Sequence, residues 1–531
     1  MQKTFSPIFR KPWHLAVLAG VSVFLAFETY SLVPFIVFFP VFLNALILEC
    51  KSIRQAFLYG FLSSFVIMLG AFYWVTYVIH EFGYLPWSIS ALLFLGFCGF
   101  GALNFPLFTA LAYWFHQRLS LLKLKPAQWG LWFALALPSL FTLVEWFIPK
   151  LFPWSVGHSL YKQLWIIQIC EITGESFLSF SIYSLGSVLG IFIFSRKEDP
   201  VCPRWLAVIP LSLLSICIAF SSLRLNQGFP MESKSLKVGL VQANIGNLDK
   251  VASRQGIVSK VDYVLDQYQK LTRQLLSQKP DLIVWPETAI PFQMDTPGSR
   301  QDLVRNFVRE IGIPLISGGY ATSPIHVTRD YNAAYLFDPA ESDLRTEIYY
   351  KNILLAFGEY LPLGDTFPQL YKTFPQVSDF ERGTDQRFFT LNSGTRLGVS
   401  ICYEAIVPSF MRKVAGNQVH VLVNLTNDSW FGPTSEPYLH GALSVFRSIE
   451  HRLPLIRVTN TGSSFTVDRF GHMSPQTPVY EPATLISTIE YNPELSRTIY
   501  GRFGDWFILI AVGVFLSFFL KLRAYRASFP L

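Results

Sequence analysis

About 20 consecutive apolar residues with almost no charge are enough to cross a bilayer. This chain carries such runs one after another through its first 222 residues. Their bounds predict transmembrane helices at Trp13–Phe27, Leu32–Leu48, Ala56–Ile79, Trp87–Phe115, Gln128–Ile148, Leu164–Phe194 and Trp205–Ser222. The fourth and sixth runs are long enough to need tilting or surface caps. A last run, Trp506–Leu520, stands near the C-terminus, which makes about eight spans. Composition agrees: 51% of the 531 residues are hydrophobic and 15% charged, against roughly 25% charged in soluble domains. The 49 Phe and 13 Trp suit lipid-facing and interfacial positions. The pattern continues through the N-terminus, so no cleaved signal peptide is expected.

The loops between the runs alternate in charge. Lys3, Arg10 and Lys11 precede the first run, Lys51 and Arg54 follow the second, and Arg118, Lys123 and Lys125 follow the fourth. Arg196, Lys197 and Arg204 follow the sixth, and Lys521, Arg523 and Arg526 follow the last. Basic loops stay in the cytoplasm. Both termini are therefore expected there, with the stretch after Ser222 outside. The formal charge of +7 thus reports topology and gives no indication of a nucleic-acid partner. Acidic residues within apolar runs are costly. Glu145 is one such residue. Glu171 and Glu175 are spaced to share a helical face, where they would line a polar cavity or sit at interfacial ends.

From about Lys237 to Asn492 the texture changes to short β-rich runs punctuated by Gly, Pro and Asn. Strands are predicted at Lys237–Ala243, Leu282–Trp285, Leu315–Gly318, Asn332–Phe337, Arg345–Tyr350, Arg396–Ile401, Val419–Asn424, Leu455–Val458, Ser464–Val467 and Leu485–Ile489. Helices are predicted at Gln255–Gln278, Ser299–Ile311 and His440–His451. Alternating strands and helices followed by consecutive strands indicate a layered α/β sandwich. The chain then divides into a membrane domain over 1–223, an outer domain over 224–502, and a final span with a basic tail over 503–531.

Three strand ends carry chemistry. Leu282–Trp285 stops at Pro286, which has no N–H for a ladder, and presents Glu287. Lys351 closes the run EIYYKN. Arg396–Ile401 delivers Cys402, the only cysteine in the second half of the chain. A lone thiol facing an oxidising compartment has nothing to pair with, and such a thiol is unusual unless its chemistry is used. The bland alternative is a buried core thiol. A carboxylate, an ammonium and a thiol brought to one sheet edge supply a base, an electrostatic stabiliser and a nucleophile for acyl transfer. No phosphate-binding loop and no Cys/His set at metal-ligand spacing appears, so neither metal nor cofactor is expected. His420, His440 and His451 would allow a competing Cys–His pair. Arg447 and Arg452 would line the mouth of the site or sit as surface charges. A lid is expected around Pro362–Phe389, a long stretch of little periodicity.

The order Glu, Lys, Cys resembles the nitrilase (carbon–nitrogen hydrolase) superfamily, whose fold is an αββα sandwich. With apolar runs before and after it, the whole chain resembles the apolipoprotein N-acyltransferase family of bacterial inner membranes. The resemblance rests on VQANI at Val241–Ile245, WPET at Trp285–Thr288 and YKNILLAFGEYLP at Tyr350–Pro362. It also rests on CYE at Cys402–Glu404, NLTNDSWFG at Asn424–Gly432, LIRVTNTGSS at Leu455–Ser464, and FPW at Phe152–Trp154. It implies Cys402 as nucleophile, Glu287 as general base and acid, and Lys351 as stabiliser of the tetrahedral intermediate. Glu359, Tyr403, Glu404 and Trp430 become supporting or substrate-binding residues. The implied acyl donor is a phospholipid and the implied acceptor is the amine of a lipoprotein's diacylglyceryl-cysteine, with the catalytic domain periplasmic. The alternative is a membrane-anchored amidase with water as acceptor. Three positions depart from the family pattern. Val251 stands near an expected Trp, Gly364 replaces an Arg, and Ala356 replaces a Pro.

Overall fold

The computed structural model describes residues 11–121, 124–194, 204–228, 232–246, 258–295, 299–326, 329–339, 345–374, 377–385, 388–494 and 496–528. Val251, Lys3, Arg10, Lys123, Arg196 and Lys197 lie outside these residues. The chain forms two compact units. One comprises residues 1–80, 85–226 and 503–531, and the other comprises residues 81–84 and 227–502.

The first unit is helical. Among the described residues, five helices are long and apolar enough to cross a membrane: Ile53–Ala71, Trp87–Ser120, Pro126–Phe147, Ser176–Ile193 and Arg204–Leu225. Three shorter apolar helices, Pro12–Ala26, Val33–Glu49 and Phe507–Lys521, accompany them. Aromatic rings fill the interior: Phe141 stacks on Tyr183 at 4.6 Å, and Phe108 meets both edge-on at 5.3 Å. Polar groups inside are satisfied between helices. Tyr183 Oη donates to Asn44 Oδ1 (2.7 Å), and Asn44 Nδ2 donates to Ser187 Oγ (2.8 Å). Such bonds are needed where no water competes.

The expected sixth span is broken. The chain forms a short helix at Cys170–Thr173, turns at Gly174 (φ +69°), and only then enters the helix that starts at Ser176. Glu171 and Glu175 therefore do not share a helical face. Glu171 accepts from Arg224 Nε (2.7 Å), and Glu175 pairs with His158. Glu145 is buried and accepts the Val156 N–H (2.9 Å).

The second unit is an α/β sandwich of two sheets. Its strands are β1 (Lys234–Gln242), β2 (Leu282–Val284), β3 (Leu315–Thr322), β4 (Asp330–Asp338), β5 (Arg345–Tyr350), β6 (Phe388–Thr390), β7 (Arg396–Ile401), β8 (Val421–Thr426), β9 (Leu455–Thr459), β10 (Phe465–Val467) and β11 (Ala483–Tyr491). One sheet runs β11-β1-β2-β3-β4-β5, and the other β10-β9-β8-β7-β6. The central strands β1-β2-β3 and β7-β8-β9 are parallel, and the flanking pairs are antiparallel. Strands β2, β8 and β9 are buried along their whole length, as expected of strands covered on both faces.

Helices cover the outer faces: Val258–Leu275 packs on β1 and β11, Ser299–Ile311 on β4, Pro408–Gly416 on β7, and Glu436–His451 on β9. Trp285 lies between Tyr268 and Phe307 at centroid distances of 5.1 and 5.9 Å, and its Nε1–H donates to Thr272 (2.9 Å). Between the sheets, Gln242 Oε1 accepts from Thr459 (3.1 Å), Ser464 (2.8 Å) and Thr477 (2.7 Å). The short strand β6 and the helix Pro408–Gly416 were not expected from the sequence. The last helix begins at Glu436 rather than His440, because Pro437 sits in its first turn, where its missing N–H costs nothing.

Candidate active site

The three strand ends do meet, but not at the edge of one sheet. Glu287 and Lys351 leave the six-stranded sheet after β2 and β5, whereas Cys402 leaves the five-stranded sheet after β7. The site therefore forms between the two sheets. Strands β3 and β4 separate β2 from β5, so the chain after β2 has to cross β3 to bring Glu287 over. It does so at Gly318, where a Cβ would lie 2.6 Å from Glu287 Cα and 2.5 Å from the Thr288 nitrogen. Only glycine permits that approach.

Glu287, Lys351 and Cys402 are all buried. Lys351 Nζ donates to Glu359 Oε1 (2.7 Å) and to Glu287 Oε1 (3.3 Å). Asn332 Nδ2 donates to the same two oxygens, at 2.9 and 2.7 Å. The other Glu287 oxygen accepts the Asn427 N–H (2.8 Å), and the other Glu359 oxygen accepts the Leu355 N–H (2.8 Å). Burial alone would pull the Lys351 ammonium down. The Glu287 and Glu359 carboxylates outweigh it, and the net shift is upward. Lys351 is thus a fixed positive charge at neutral pH.

Cys402 has φ +52°. A non-glycine residue in the left-handed region costs about 1–2 kcal/mol, and such outliers persist where surroundings enforce them. Burial pushes its thiol well above the ordinary range. Glu287 adds to this, Lys351 opposes it, and Asp428 and Glu359 add further. The resting group is therefore a thiol rather than a thiolate.

Glu404 does not face the reacting groups. It is fully buried, and its carboxylate joins the two sheets at the nucleophile. Oε1 accepts the N–H groups of Asn352 (2.6 Å) and Ile353 (3.0 Å), just after Lys351, while Oε2 accepts Ile401 N–H (2.8 Å) and Tyr349 Oη–H (2.7 Å). Burial pushes its carboxyl up to about 7, against the Tyr349 and Ile401 hydrogen bonds. Tyr403 is half-buried, and Trp430 is 38% exposed on the turn Asp428–Phe431.

The competing histidines do not supply a base. His420 accepts the Arg396 N–H (3.1 Å) at the far end of β7, and His451 is buried with its ring 5.8 Å from Tyr500. His440 approaches Cys402, but at its carbonyl oxygen (Nε2, 3.3 Å). Arg447 and Arg452 are buried, not surface charges: Arg447 pairs with Glu450 (3.0 Å), and Arg452 donates to the Arg469 carbonyl (3.1 Å). Within the stretch expected to be a lid, Arg329 ties Asp365 (2.7 Å) and Asp379 (2.9 Å), while Phe367 and Phe374 stand exposed. Gly364 has a local cause, because a Cβ there would lie 2.6 Å from the Tyr371 ring.

Comparison with known proteins places this chain in a family. Residues 19–188 match the apolipoprotein N-acyltransferase N-terminal domain, and residues 237–492 match the carbon-nitrogen hydrolase domain. An apolipoprotein N-acyltransferase of Bdellovibrio bacteriovorus is 33% identical over 480 residues, covering 87% of this chain and 86% of its own. The chain belongs to the apolipoprotein N-acyltransferase family. A relative from Geobacter metallireducens is 32% identical over 517 residues, covering 95% of this chain and 94% of its own. Among solved structures, an amidase from Nesterenkonia sp. AN1 aligns with 52% of this chain and 98% of its own at 18% identity and a TM-score of 0.36.

Three asparagines that sequence reasoning did not single out hold these groups in place. Asn332 bridges Glu287 and Glu359 from the start of β4. Asn427 holds Glu287 through its backbone. Asn460 steadies that turn, with Nδ2 donating to Asn427 Oδ1 (3.1 Å) and Oδ1 accepting the Ile245 N–H (3.0 Å). The motif VQANI thereby reaches the site through Ile245, two partners removed from Glu287.

Proposed function

We propose that the chain transfers a fatty acyl group from a phospholipid to the N-terminal amine of the diacylglyceryl-cysteine of a lipoprotein. The observation that carries this is the buried Glu287–Lys351–Cys402 set on a chain with apolar helices on either side. In the first step Glu287 takes the Cys402 proton while sulfur attacks the ester carbonyl. The oxyanion develops beside the Lys351 ammonium, which is already charged and needs no reorganisation. The C–O bond then breaks, Glu287 returns the proton to the departing oxygen, and a lysophospholipid leaves. In the second step the lipoprotein amine attacks the thioester and Glu287 takes its proton. The C–S bond breaks and Glu287 returns the proton to the departing sulfur, which yields an amide and the free thiol.

Glu359 supports this reading by sharing Lys351 with Glu287. Glu404 fixes the turn beneath Cys402, and Tyr403 and Trp430 offer partly exposed aromatic surface to the lipid substrates. The basic loops support an orientation with both termini cytoplasmic and the domain over 224–502 periplasmic, between membrane segments 1–223 and 503–531. The reaction needs neither metal nor cofactor. The test is intact-mass analysis of the purified enzyme after exposure to phospholipid, followed by a diacylated peptide. An acyl group on Cys402 that the peptide discharges is the expected result. Release of free fatty acid with no transfer to the peptide would replace this reading with the amidase one.

A further inference from the structure

The left-handed turn at Cys402 raises the question of what keeps it from relaxing. Its carbonyl oxygen is held by two side chains from different elements: Asn424 Nδ2 of β8 at 3.3 Å and His440 Nε2 of the helix Glu436–His451 at 3.3 Å. A carbonyl only accepts, so Nε2 carries a proton. The other ring nitrogen, Nδ1, lies 3.1 Å from Asp428 Oδ1. Asp428 is fully buried and bound by Arg457 Nη2 (2.9 Å). One proton lies between Nδ1 and Oδ1, whichever of them carries it, and burial and Arg457 both disfavour a second charge on the ring. The same Arg457 donates through Nη1 to Asn424 Oδ1 (2.7 Å). The hydrogen bonds thus close a ring: Cys402 carbonyl, Asn424, Arg457, Asp428, His440 and back. Glu436 faces the ring nitrogen from the helix's own first turn (3.8 Å), so the guanidinium and the shared proton are set against two carboxyl groups.

We propose that His440 is a positioning residue for the nucleophile: with Asn424, it clamps the Cys402 carbonyl and holds the thiol in register with Glu287 and Lys351. A histidine that merely fills the core would not reach the peptide of the reacting residue. Nor would both donors on that peptide be oriented by one guanidinium. The inference rests on Cys402 being the acyl-carrying thiol.

The test uses the full chain in detergent with micelles of phosphatidylethanolamine and phosphatidylglycerol, and it reads the single-turnover rate of Cys402 acylation by intact mass. Removing a buried donor to the nucleophile's backbone in His440→Ala should slow acylation roughly 10- to 100-fold with lipid half-saturation unchanged. His440→Gln, whose amide N–H reaches the same carbonyl, should recover to within about threefold of the native rate. Asn424→Ala removes the other donor and should slow the same step, which keeps the question decidable if His440→Ala does not fold. Equal loss in the Gln and Ala variants, a change confined to lipid half-saturation, or a native rate in Asn424→Ala would overturn the proposal. So would a stoichiometric metal ion bound by Asp428, Glu436 and His440, whose ligand atoms lie within 4.8 Å of one another. A native enzyme that forms no thioester at all would instead remove the reading on which the proposal rests.

Discussion

Lys351 carries two carboxylates on one ammonium, and that sharing determines what a substitution there does. In Lys351→Met, Glu287 and Glu359 keep only Asn332 between them and lose the charge that meets the oxyanion. Acylation should fall about 10²–10³-fold, the loss typical for one stabilising donor, measured as the rate of thioester formation. The thiol offers a second check. Because burial and Glu287 raise it, Cys402 should show no thiolate absorbance near 240 nm at pH 7.5 when the native protein is compared with Cys402→Ser. Glu404 gives a pH signature. Burial pushes its folded-state carboxyl up to about 7, above the 4.5 of an exposed glutamate, so between these values the folded state holds a proton that the unfolded chain has released. Stability should therefore fall as pH rises between these values and level off above them. The slope is at most about 1.4 kcal/mol per unit for one group, and thermal melts should find it absent in Glu404→Gln. At this scale the sequence displayed the three groups that the fold brings together because each follows a strand that ends abruptly. It hid Asn332 and the part His440 plays, because a buried Asn in a strand or His in a helix looks the same whether it holds a neighbour or fills space.

Elements place these groups, and their legibility varied with how local the cause was. The strand RLGVSI was readable because Leu, Val and Ile fill its interior and a cysteine ends it. The helix Glu436–His451 began four residues before its predicted start, because Pro437 reads as a breaker in sequence but serves as a first-turn residue in structure. That shift puts His440 in the second turn, where it meets Cys402. The break at Gly174 was hidden inside a continuous apolar run, since hydropathy records burial in lipid but not backbone direction. Crossing of β3 by the Glu287 segment depends on a single missing Cβ. Gly318→Ala should cost about 1–3 kcal/mol by overpacking and slow acylation at least tenfold while the sheet persists by circular dichroism. Trp285, sandwiched between Tyr268 and Phe307, should cost about 3–5 kcal/mol when replaced by Ala, read as a lowered Tm.

At the level of the whole molecule, the apolar runs were the most legible feature. Each of the eight apolar helices described overlaps a predicted run. Loop charge then gives an orientation that reporter fusions can check: activity of a periplasmic reporter joined after Asn226 should be high, and after Lys521 low. The division of the site between two sheets was not legible, because strand order is a long-range property that no local pattern records. That division also bears on how the protein comes into being. Glu287 and Lys351 are synthesised before Cys402, on a different sheet, and the thiol gains its base and its cation only when the sheets dock through Gln242 and Glu404. Until that docking the newly made Cys402 stands apart from Glu287 and Lys351, and on the proposed mechanism a chain stalled there should form no thioester.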